Sequence, residues 1–441
     1  MRSGTLKMVT FGSMSHAWRA LRHRNFRLFF AGQTVSLIGS WMTRLATTWL
    51  VYRLTRSALL LGVVSFAGQI VAFILGPFAG VWVERVDRRK LLVCTQVAAG
   101  LQSLTLAALT LGGIVTLGEI IALAAVQGLI NAFDMPGRQS FLVQMVEERG
   151  DLGNAIAINS SMNNGARLIG PAIAGLVIAA VGEGWCFLID GVSYVPVIAS
   201  LLLMRLTPHS APPRTAGLLH EMREGWDYVR TFRPIRTILL LFSVTTLMGY
   251  PYAVLLPLFA AQVLHGGAAT LGWLTGASGV GALVSALSLA VRRSVVGLTR
   301  MLLIAATMLG GALILFGLSH TLWISLVLMG FAGFGLMQGA SATNTIVQSL
   351  VPDDKRARAM SYYAMAFFGA APFGSLLAGI LAHRIGAPDT VILTGACCLV
   401  GACWFAFERP KIRVIMRPVY EGLGLLPLRQ AALPDEPQGA A

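Results

Sequence analysis

Long apolar runs alternate with short polar connectors from residue 26 to residue 407. Twelve of these runs reach about the twenty residues that an α-helix needs to cross roughly 30 Å of hydrocarbon. They predict spans at 26–53, 58–83, 91–113, 118–140, 154–181, 185–204, 236–263, 270–291, 300–318, 321–348, 358–383 and 389–407. The connectors at 182–184 and 318–320 leave room only for tight helical hairpins. The pattern therefore predicts an all-α membrane protein with twelve transmembrane helices.

The composition makes a bilayer the natural solvent for this chain. Hydrophobic residues are 56% of the sequence and charged residues only 12%, whereas soluble domains carry about 25% charged residues. Glycine is abundant, with 48 residues, as expected where membrane helices must approach one another closely. The five cysteines lie in or beside apolar runs without metal-ligand spacing, which indicates structural thiols.

The net charge of +15 could indicate a nucleic-acid partner, but its distribution favours a membrane signal instead. Among the 34 lysines and arginines, Arg53, Arg56 and Arg384 fall on one side of the predicted spans, and Arg44 and Arg167 fall within spans. The rest lie on the other side, which by the positive-inside rule is cytoplasmic. We therefore expect a multi-pass protein of the inner (plasma) membrane with both termini cytoplasmic, no cleavable signal peptide and no nucleic-acid partner.

The predicted spans divide the chain into successive regions. The order is a cytoplasmic segment at 1–25, a six-helix bundle at 26–204, a cytoplasmic connector at 205–235, a second six-helix bundle at 236–408 and a tail at 409–441. The connector has apolar residues at helical spacing, which predicts an amphipathic helix on the membrane surface, with a DNA-binding or partner-binding element as the alternative. The tail is basic at first and then rich in Pro, Ala and Gln, which predicts disorder.

An internal repeat relates the two predicted bundles. A shift of 204 positions aligns residues 143–182 with 347–386 without a gap and pairs Gly170 with Gly374, Gly175 with Gly379, and Gly182 with Gly386. This alignment places span five on span eleven. Because each half then contains an even number of spans, the halves have the same orientation. Parallel repeats of this kind hold a substrate site between the halves, near the midplane of the membrane.

The loop after span two runs from Gly80 through Glu84 and Arg85 to Arg89. An acidic residue at the membrane edge is costly unless it is paired. The loop resembles the signature Gly-x-x-x-Asp-Arg-x-Gly-Arg-Arg of the major facilitator superfamily, with Glu84 in place of Asp and Asp87 in place of the inner Gly. The resemblance implies that Gly80, Glu84, Arg85 and Arg89 form a latch that holds the cytoplasmic sides of the two halves together. A plain run of positive-inside charges is the alternative.

Span four carries Gln127, Asn131, Asp134 and Arg138 at steps of four, three and four, which places them on one helix face. Asp134 and Arg138 can pair, which lowers the cost of burying either charge. Residues 131–139 resemble the enterobactin-exporter-like and macrolide-efflux-like branch of the same superfamily. A stripe that only holds helices together is the alternative interpretation.

Proton coupling cannot be carried over from the family at the start of span four. The family has an arginine three residues before a Gln-Gly pair, and Ala124 occupies that position here. Asp134 is the acid best placed within the inner half of a span, so we predict that it is the titrating group. Pro136 should kink or end the helix shortly after it.

Spans one and five carry the other polar candidates. Asn159, Asn163 and Arg167 follow one another at steps of four on span five, and Trp41 and Arg44 share a face of span one. A charge near mid-bilayer costs about 3 kcal/mol even on the lenient insertion scale, so Arg167 should face a partner or a water-filled cavity. Arg44 is a candidate for binding substrate, with snorkelling to the outer interface as the alternative.

Span five also contains Gly170, Pro171 and Gly175. These residues resemble the span-five motif associated with antiporters, although Ala174 stands where the family has a second glycine. Ordinary Gly/Pro helix packing is the alternative.

The second half contributes fewer polar candidates, chiefly Tyr250, Gln338 and Asn344. The repeat aligns Arg167 with Ala371, so the buried charge is confined to the first half. No phosphate-binding Gly-x-x-x-x-Gly-Lys-Ser/Thr run, metal-ligand cluster or catalytic set stands out in the sequence. We therefore expect no cofactor, no metal and no enzymatic activity.

The resemblance covers about residues 25–408. It implies a secondary active transporter that exports a small amphipathic or anionic molecule, of drug or siderophore class, by proton antiport and alternating access. The expected partners are the lipid bilayer, the substrate and protons, and the expected state is a monomer. A lysophospholipid flippase or a solute importer of the same fold is the alternative transport function. A non-transporting membrane sensor is the alternative of another class.

Overall fold

The structure is a computed structural model that describes residues 19–83, 85–146, 148–205, 226–292 and 295–422. In the first half the described residues form six long helices: α1 (Arg24–Thr55), α2 (Ala58–Val83), α3 (Arg88–Leu111), α4 (Leu117–Leu142), α5 (Leu152–Val181) and α6 (Glu183–Leu203). Their order and bounds follow the apolar runs of the sequence.

The described residues from 233 onward form six more long helices, two of which include π-helical turns. Helix α7 comprises Arg233–Val244 and Tyr252–Leu258 with π-helical turns at Thr245–Gly249 and Phe259–Val263. The next three are α8 (Ala268–Ala290), α9 (Leu298–Leu318) and α10 (Leu322–Leu350). Helix α11 comprises Asp353–Ala364 and Ala370–Ile385 around a π-helical turn at Met365–Gly369, and α12 is Ala387–Gly422.

The described chain contains eleven helices that are long and apolar enough to cross a membrane. The twelfth span is α1, which is 32 residues long but carries four arginines. The prediction of twelve transmembrane helices in two six-helix bundles is confirmed.

The internal repeat is visible in matching turns and matching contacts. Gly182 and Gly386 have φ of 94° and 89° and end α5 and α11, because glycine adopts this conformation without steric cost. Gly170 lets α5 pack on α1, where a methyl group would lie 2.6 Å from the Trp41 Cβ. Its repeat partner Gly374 lets α11 pack on α7, where a methyl group would lie 2.2 Å from the Leu247 carbonyl oxygen.

The bundle has two ends that differ in packing. We name as the basic end the one where α1 begins and where the α2–α3, α4–α5, α8–α9 and α10–α11 connectors lie. One continuous apolar cluster fills the opposite end and takes residues from both halves, among them Leu50, Leu61, Leu258, Phe259 and Phe316. At the basic end each half has its own cluster, with Phe26, Phe141 and Leu201 in the first half and Ile235, Leu302 and Phe405 in the second. The halves are therefore joined at the opposite end and separate at the basic end.

The prediction of a disordered tail from residue 409 is wrong for residues 409–422. Helix α12 is 36 residues long, or about 54 Å, so its last turns project beyond about 30 Å of hydrocarbon. Ile412, Met416 and Tyr420 follow at steps of four and are buried against the second half. Just beyond the predicted span 389–407, hydrogen bonds from Lys411 and Arg233 lower the pKa of Glu408.

Two further sequence predictions meet the structure in part. Pro136 does not end α4, which continues to Leu142. Of the predicted connector helix, residues 226–231 are helical, whereas residues 206–225 lie outside the described part of the chain. Trp226 and Val229 from this segment pack against the second half, with the Trp226 ring 5.8 Å from that of Tyr362.

Candidate functional site

The first seam between the halves joins α5 to α8. A methyl group on Gly175 would lie 2.8 Å from the Ala268 carbonyl oxygen and 3.1 Å from the Cα of Gly272. One on Gly279 would lie 3.0 Å from the Leu168 Cα and 3.2 Å from the Arg167 carbonyl oxygen. These backbones touch because glycine has no side chain, so the seam is closed from the opposite end as far as Arg167.

The second seam joins α2 to α11, again by close backbone contact at glycines. A methyl group on Gly62 would lie 2.8 Å from the Ser375 carbonyl oxygen, and one on Gly379 would lie 3.0 Å from the Cα of Gly62. Farther along, Phe73 packs against Gly369. The repeat partners Gly175 and Gly379 thus occupy equivalent places in the two seams.

Beyond these contacts the seams open toward the basic end. A methyl group added at Gly76, Gly80 or Gly165 would meet no described atom within 4 Å, apart from the neighbouring backbone of its own helix. We infer that the space between the halves begins at the level of Arg167 and opens toward the basic end, where each half has its own apolar cluster.

Two arginines flank one tryptophan ring at the closed limit of this space. The guanidinium carbon of Arg44 lies 5.0 Å from the centre of the Trp41 ring, and that of Arg167 lies 5.7 Å from it. Arg44 is exposed and Arg167 half-buried. Among the described residues, neither guanidinium is ion-paired with a carboxylate. We name Trp41, Arg44 and Arg167 the arginine–tryptophan cluster.

The second half reaches this cluster through Tyr252 of α7. Its phenol lies within electrostatic range of Arg167 and shares a hydrogen bond of 2.6 Å with Ser278 of α8. The cluster therefore lies where helices of both halves meet.

Asn159 and Asn163 line α5 on the basic side of Arg167, where the space between the halves is open. The Asn163 amide donates to the Asn159 carbonyl oxygen over 2.8 Å, and the Asn163 side chain is exposed. The steps of four residues from Asn159 to Asn163 and from Asn163 to Arg167 place all three on one side of α5.

The polar stripe of α4 turns partly into its own bundle. Arg138 donates a hydrogen bond to Asp134, so the pairing predicted from their spacing is confirmed. Asp134 is 6% exposed and also accepts bonds from Thr95 over 3.0 Å and Gln96 over 2.7 Å, both on α3. Nearer the opposite end, the Gln127 amide donates to Asn131 over 3.1 Å. The carboxylate of Asp134 therefore faces α3 rather than the cluster.

Sequence reasoning missed another buried acid, Asp190 of α6. Its side chain accepts hydrogen bonds from Thr43 over 2.9 Å, Ser103 over 2.9 Å and Ser40 over 3.4 Å. The residue is only 2% exposed. Its position inside the apolar run 185–204 was a sequence signal, because an acid there needs polar partners.

The second-half candidates are not brought together. Gln338 is 1% exposed and accepts hydrogen bonds from Ser285 and Ser288 of α8, inside its own bundle. Asn344 accepts a hydrogen bond from Gln348 one turn away. The Tyr250 ring lies 6.3 Å from that of Phe367, in an aromatic group that also includes Phe242, Tyr363 and Phe368.

The predicted latch is not engaged with the second half in the described residues. Arg89 donates to the Leu202 carbonyl oxygen of its own half. Asp87, which replaces the inner glycine of the family signature, caps α3 by accepting from the backbone N–H groups of Arg89 and Lys90. Arg85 is exposed, and Glu84 lies outside the described residues.

The span-five motif serves both sides of α5. Gly170 contacts α1, while Gly175 and the carbonyl oxygen of Pro171 contact Gly272 of α8. The motif therefore connects the helix of Trp41 and Arg44 to the opposite half.

The whole chain resembles known transporters. Residues 15–417 match the family described as transmembrane secretion effector. The staphyloferrin A transporter of Staphylococcus aureus is 26% identical over 400 residues, covering 90% of this chain and 99% of that protein. The multidrug efflux pump Tap of Mycolicibacterium fortuitum is 27% identical over 373 residues, covering 83% and 90%.

Solved structures show the same fold. A bacterial homolog of the human lysosomal transporter Spinster, in an inward-facing and unoccupied conformation, matches with a TM-score of 0.65 and 14% identity, covering 89% of this chain and 97% of that one. The superfamily resemblance found in the sequence motifs is thus confirmed over nearly the whole length. The chain belongs to the transmembrane secretion effector family of the major facilitator superfamily, and it is a membrane transporter.

Proposed function

We propose that the protein exports a small amphipathic molecule that carries an acidic group, in exchange for protons. The observation that supports this most is the arginine–tryptophan cluster. Arg44 and Arg167 lie on one aromatic ring, without an ion-paired carboxylate among the described residues, at the closed limit of the space between the halves.

The charge balance of the cluster favours an anionic group. Two cations beside each other in a membrane protein repel, and each costs about 3 kcal/mol to hold near mid-bilayer on the lenient scale. A carboxylate or sulfonate between Arg44 and Arg167 would reduce both the repulsion between the arginines and the cost of holding their charges in the membrane. It would also form charge-assisted hydrogen bonds of about 1.5–3 kcal/mol each. The Trp41 ring would hold an apolar or aromatic part of the same molecule.

The direction of transport and the orientation are part of the same proposal. We place the basic end in the cytoplasm, by the positive-inside rule. The space between the halves then opens to the cytoplasm, where an exporter takes up its substrate. The relatives support export of a small molecule, because one is named a multidrug efflux pump and another a transporter of staphyloferrin A.

Alternating access would exchange the closed and open ends. The glycine seams at Gly175 and Gly62 would part, while the basic ends approach. On that approach Gly80, Arg85 and Arg89 would meet the second half, which is the latch role that the family signature implies. A monomer suffices for this cycle, since the site lies between its own two halves.

Dye accumulation in cells tests the proposal. Bacterial cells that express the chain are loaded with sulforhodamine B, ethidium or Nile red, as an anionic, a cationic and a neutral amphipathic dye. We expect lower retention of sulforhodamine B than in cells with the empty vector, and loss of the difference when a protonophore is added. Equal retention of the anionic dye with lower retention of ethidium would contradict the proposed substrate class. A difference that survives the protonophore would contradict proton antiport.

A further inference from the structure

Asp190 lies deep inside the first half, held by hydroxyl groups from two other helices. It is seven residues from the start of α6, or about 10 Å along the helix. Thr43 and Ser40 donate to it from α1, and Ser103 donates from α3. Gly39 of α1 makes room for the carboxylate, because a methyl group there would lie 2.8 Å from the Asp190 Oδ1.

The charged and titratable neighbours of Asp190 are few. On α1 the charged group in electrostatic range is Arg44. On its own helix Cys186 and Tyr194 each lie one turn from Asp190, on opposite sides of it. Glu183, which precedes Cys186 at the start of α6, is paired with Arg53 over 3.0 Å. Helix α3 contributes the Ser103 hydroxyl, and α5 approaches through the Ala174 carbonyl oxygen, which accepts from Cys186. No basic side chain in the described residues forms an ion pair with Asp190.

Asp134 and Asp190 differ in their charged partners. Asp134 is held by the Arg138 guanidinium, which only donates hydrogen bonds, as well as by the Gln96 amide and the Thr95 hydroxyl. The guanidinium is a partner for an ionised carboxylate. A hydroxyl can donate to a carboxylate or accept from a carboxylic acid, so the shell of Asp190 fits both forms without an unsatisfied group.

A change of charge at Asp190 alters the link between α6 and α1. The ionised carboxylate accepts from Ser40 and Thr43, which lie on either side of Trp41 on α1. The protonated acid must donate one bond and accepts fewer, so one of these links is exchanged or lost. The helix that carries Trp41 and Arg44 is therefore held in its present position most firmly by the ionised form.

Direct electrostatic attraction between a bound anion and a proton at Asp190 would instead favour proton uptake when the substrate binds. This attraction is weaker than the hydrogen bonds that join Asp190 to α1. Asp190 is buried, so an effective dielectric constant of about 20 applies, at which unit charges about 10 Å apart interact by about 1.7 kcal/mol, and water around the exposed Arg44 screens this further. A hydrogen bond to a charged group is worth about 1.5–3 kcal/mol. The substrate binds to the arginine–tryptophan cluster in its present position, and the ionised form of Asp190 holds α1 in that position. Substrate binding therefore favours release of the proton from Asp190, which is the linkage that antiport requires.

We infer that Asp190 is the residue that takes up and releases the transported proton, and that it acts on the arginine–tryptophan cluster through α1. This inference rests on the proposed proton antiport. The step is a proton transfer between water and a carboxylate oxygen, with the O–H bond formed on uptake and broken on release.

The direct test of the proton site needs no substrate. Infrared difference spectra between acidic and alkaline pH are recorded for the full-length protein in liposomes. All variants share a carboxyl signal from the other acids. We expect the wild type to show an additional protonated-carboxyl component that Asp190→Asn lacks and that the control Asp389→Asn, which changes an exposed acid at the opposite end, retains. A spectrum of Asp190→Asn that equals the wild-type spectrum, in a variant that melts like the wild type, would overturn the inference.

The coupling is tested with sulforhodamine B and a pH indicator in weakly buffered detergent solution. The wild type should release protons when the dye binds, and Asp190→Asn should bind the dye without release. Thr43→Val, which removes one α1 donor but keeps the acid, should retain the infrared band and show reduced proton release. Unchanged release in a folded Asp190→Asn protein would overturn the assignment. If the wild type releases no proton and a pH gradient does not drive its transport, the proposed antiport fails, while the infrared spectra still decide whether Asp190 binds a proton.

Discussion

The glycine seams make a sharp prediction about what holds the opposite end closed. In Gly175→Ala, one methyl group enters a space where three backbone atoms would lie 2.8–3.1 Å away. Backbone of α8 cannot give way as a flexible side chain would, so α5 and α8 must separate. We expect the substitution to favour the conformation in which the opposite end is open.

The size of this effect follows from the overpacking cost. Inserting a methyl group into a packed interface costs about 1–3 kcal/mol. Since 1.4 kcal/mol is a factor of ten in an equilibrium constant, the ratio of the two conformations should shift by about 5-fold to 150-fold. That range is large enough to make a minor conformation visible.

Distances between spin labels measure the shift. On a background without the native cysteines, one pair is placed at Lys90 and Arg300, both exposed at the basic end, and a second pair at Ile114 and His320, both exposed at the opposite end. In the Gly175→Ala protein the basic-end distance should shorten and the opposite-end distance should lengthen.

The matched control is Gly153→Ala on the same helix, where the added methyl group meets no described atom within 4 Å. It makes the same glycine-to-alanine replacement on α5, in the first turn of the helix, without the contact. If the Gly175 and Gly153 variants shift the distances equally, or if neither does, the seam is not what closes this end.

Three further outcomes follow from contacts described above. Arg167→Gln should weaken sulforhodamine B binding about tenfold or more, whereas Arg167→Lys should restore part of it, and an unchanged fluorescence titration would contradict the anion site. Arg53→Gln leaves Glu183, which is 3% exposed, without its cation and should lower the free energy of unfolding by about 1–3 kcal/mol. The melting temperature should fall accordingly, and the additional change Glu183→Gln should largely restore it. The lowered pKa of Glu408 means that its contribution to stability is present above its unfolded pKa and lost as the pH falls through the folded value. Glu408→Gln should therefore melt below the wild type at neutral pH, and the difference should vanish in acid; a pH-independent difference would contradict this.

Features with a local signature could be predicted from the sequence. The spans follow from apolar length, and the repeat follows from an offset that pairs Gly175 with Gly379. The pair Asp134–Arg138 and the shared face of Trp41 and Arg44 follow from helical spacing alone. Each of these depends only on residues within one helix or on a direct comparison of two segments.

Features that depend on partners distant in the sequence could not be predicted in the same way. Asp190 becomes significant because Thr43 and Ser103 are brought to it from other helices. The end of α12 looks like a tail because of its prolines and basic residues, yet Met416 is buried because the second half offers a surface for it. Gln338 could not be assigned to the bundle interior without knowing that α8 faces it.

The most direct test of proton-driven export uses purified protein in liposomes with an imposed pH gradient. With an acidic interior, outward proton flow should drive sulforhodamine B inward to a concentration above that outside, and a protonophore should collapse the accumulation. Liposomes without protein and liposomes without a gradient serve as controls. Accumulation that depends on both the protein and the gradient is the predicted result. Simple equilibration of the dye, at the same rate with and without the gradient, would contradict the account.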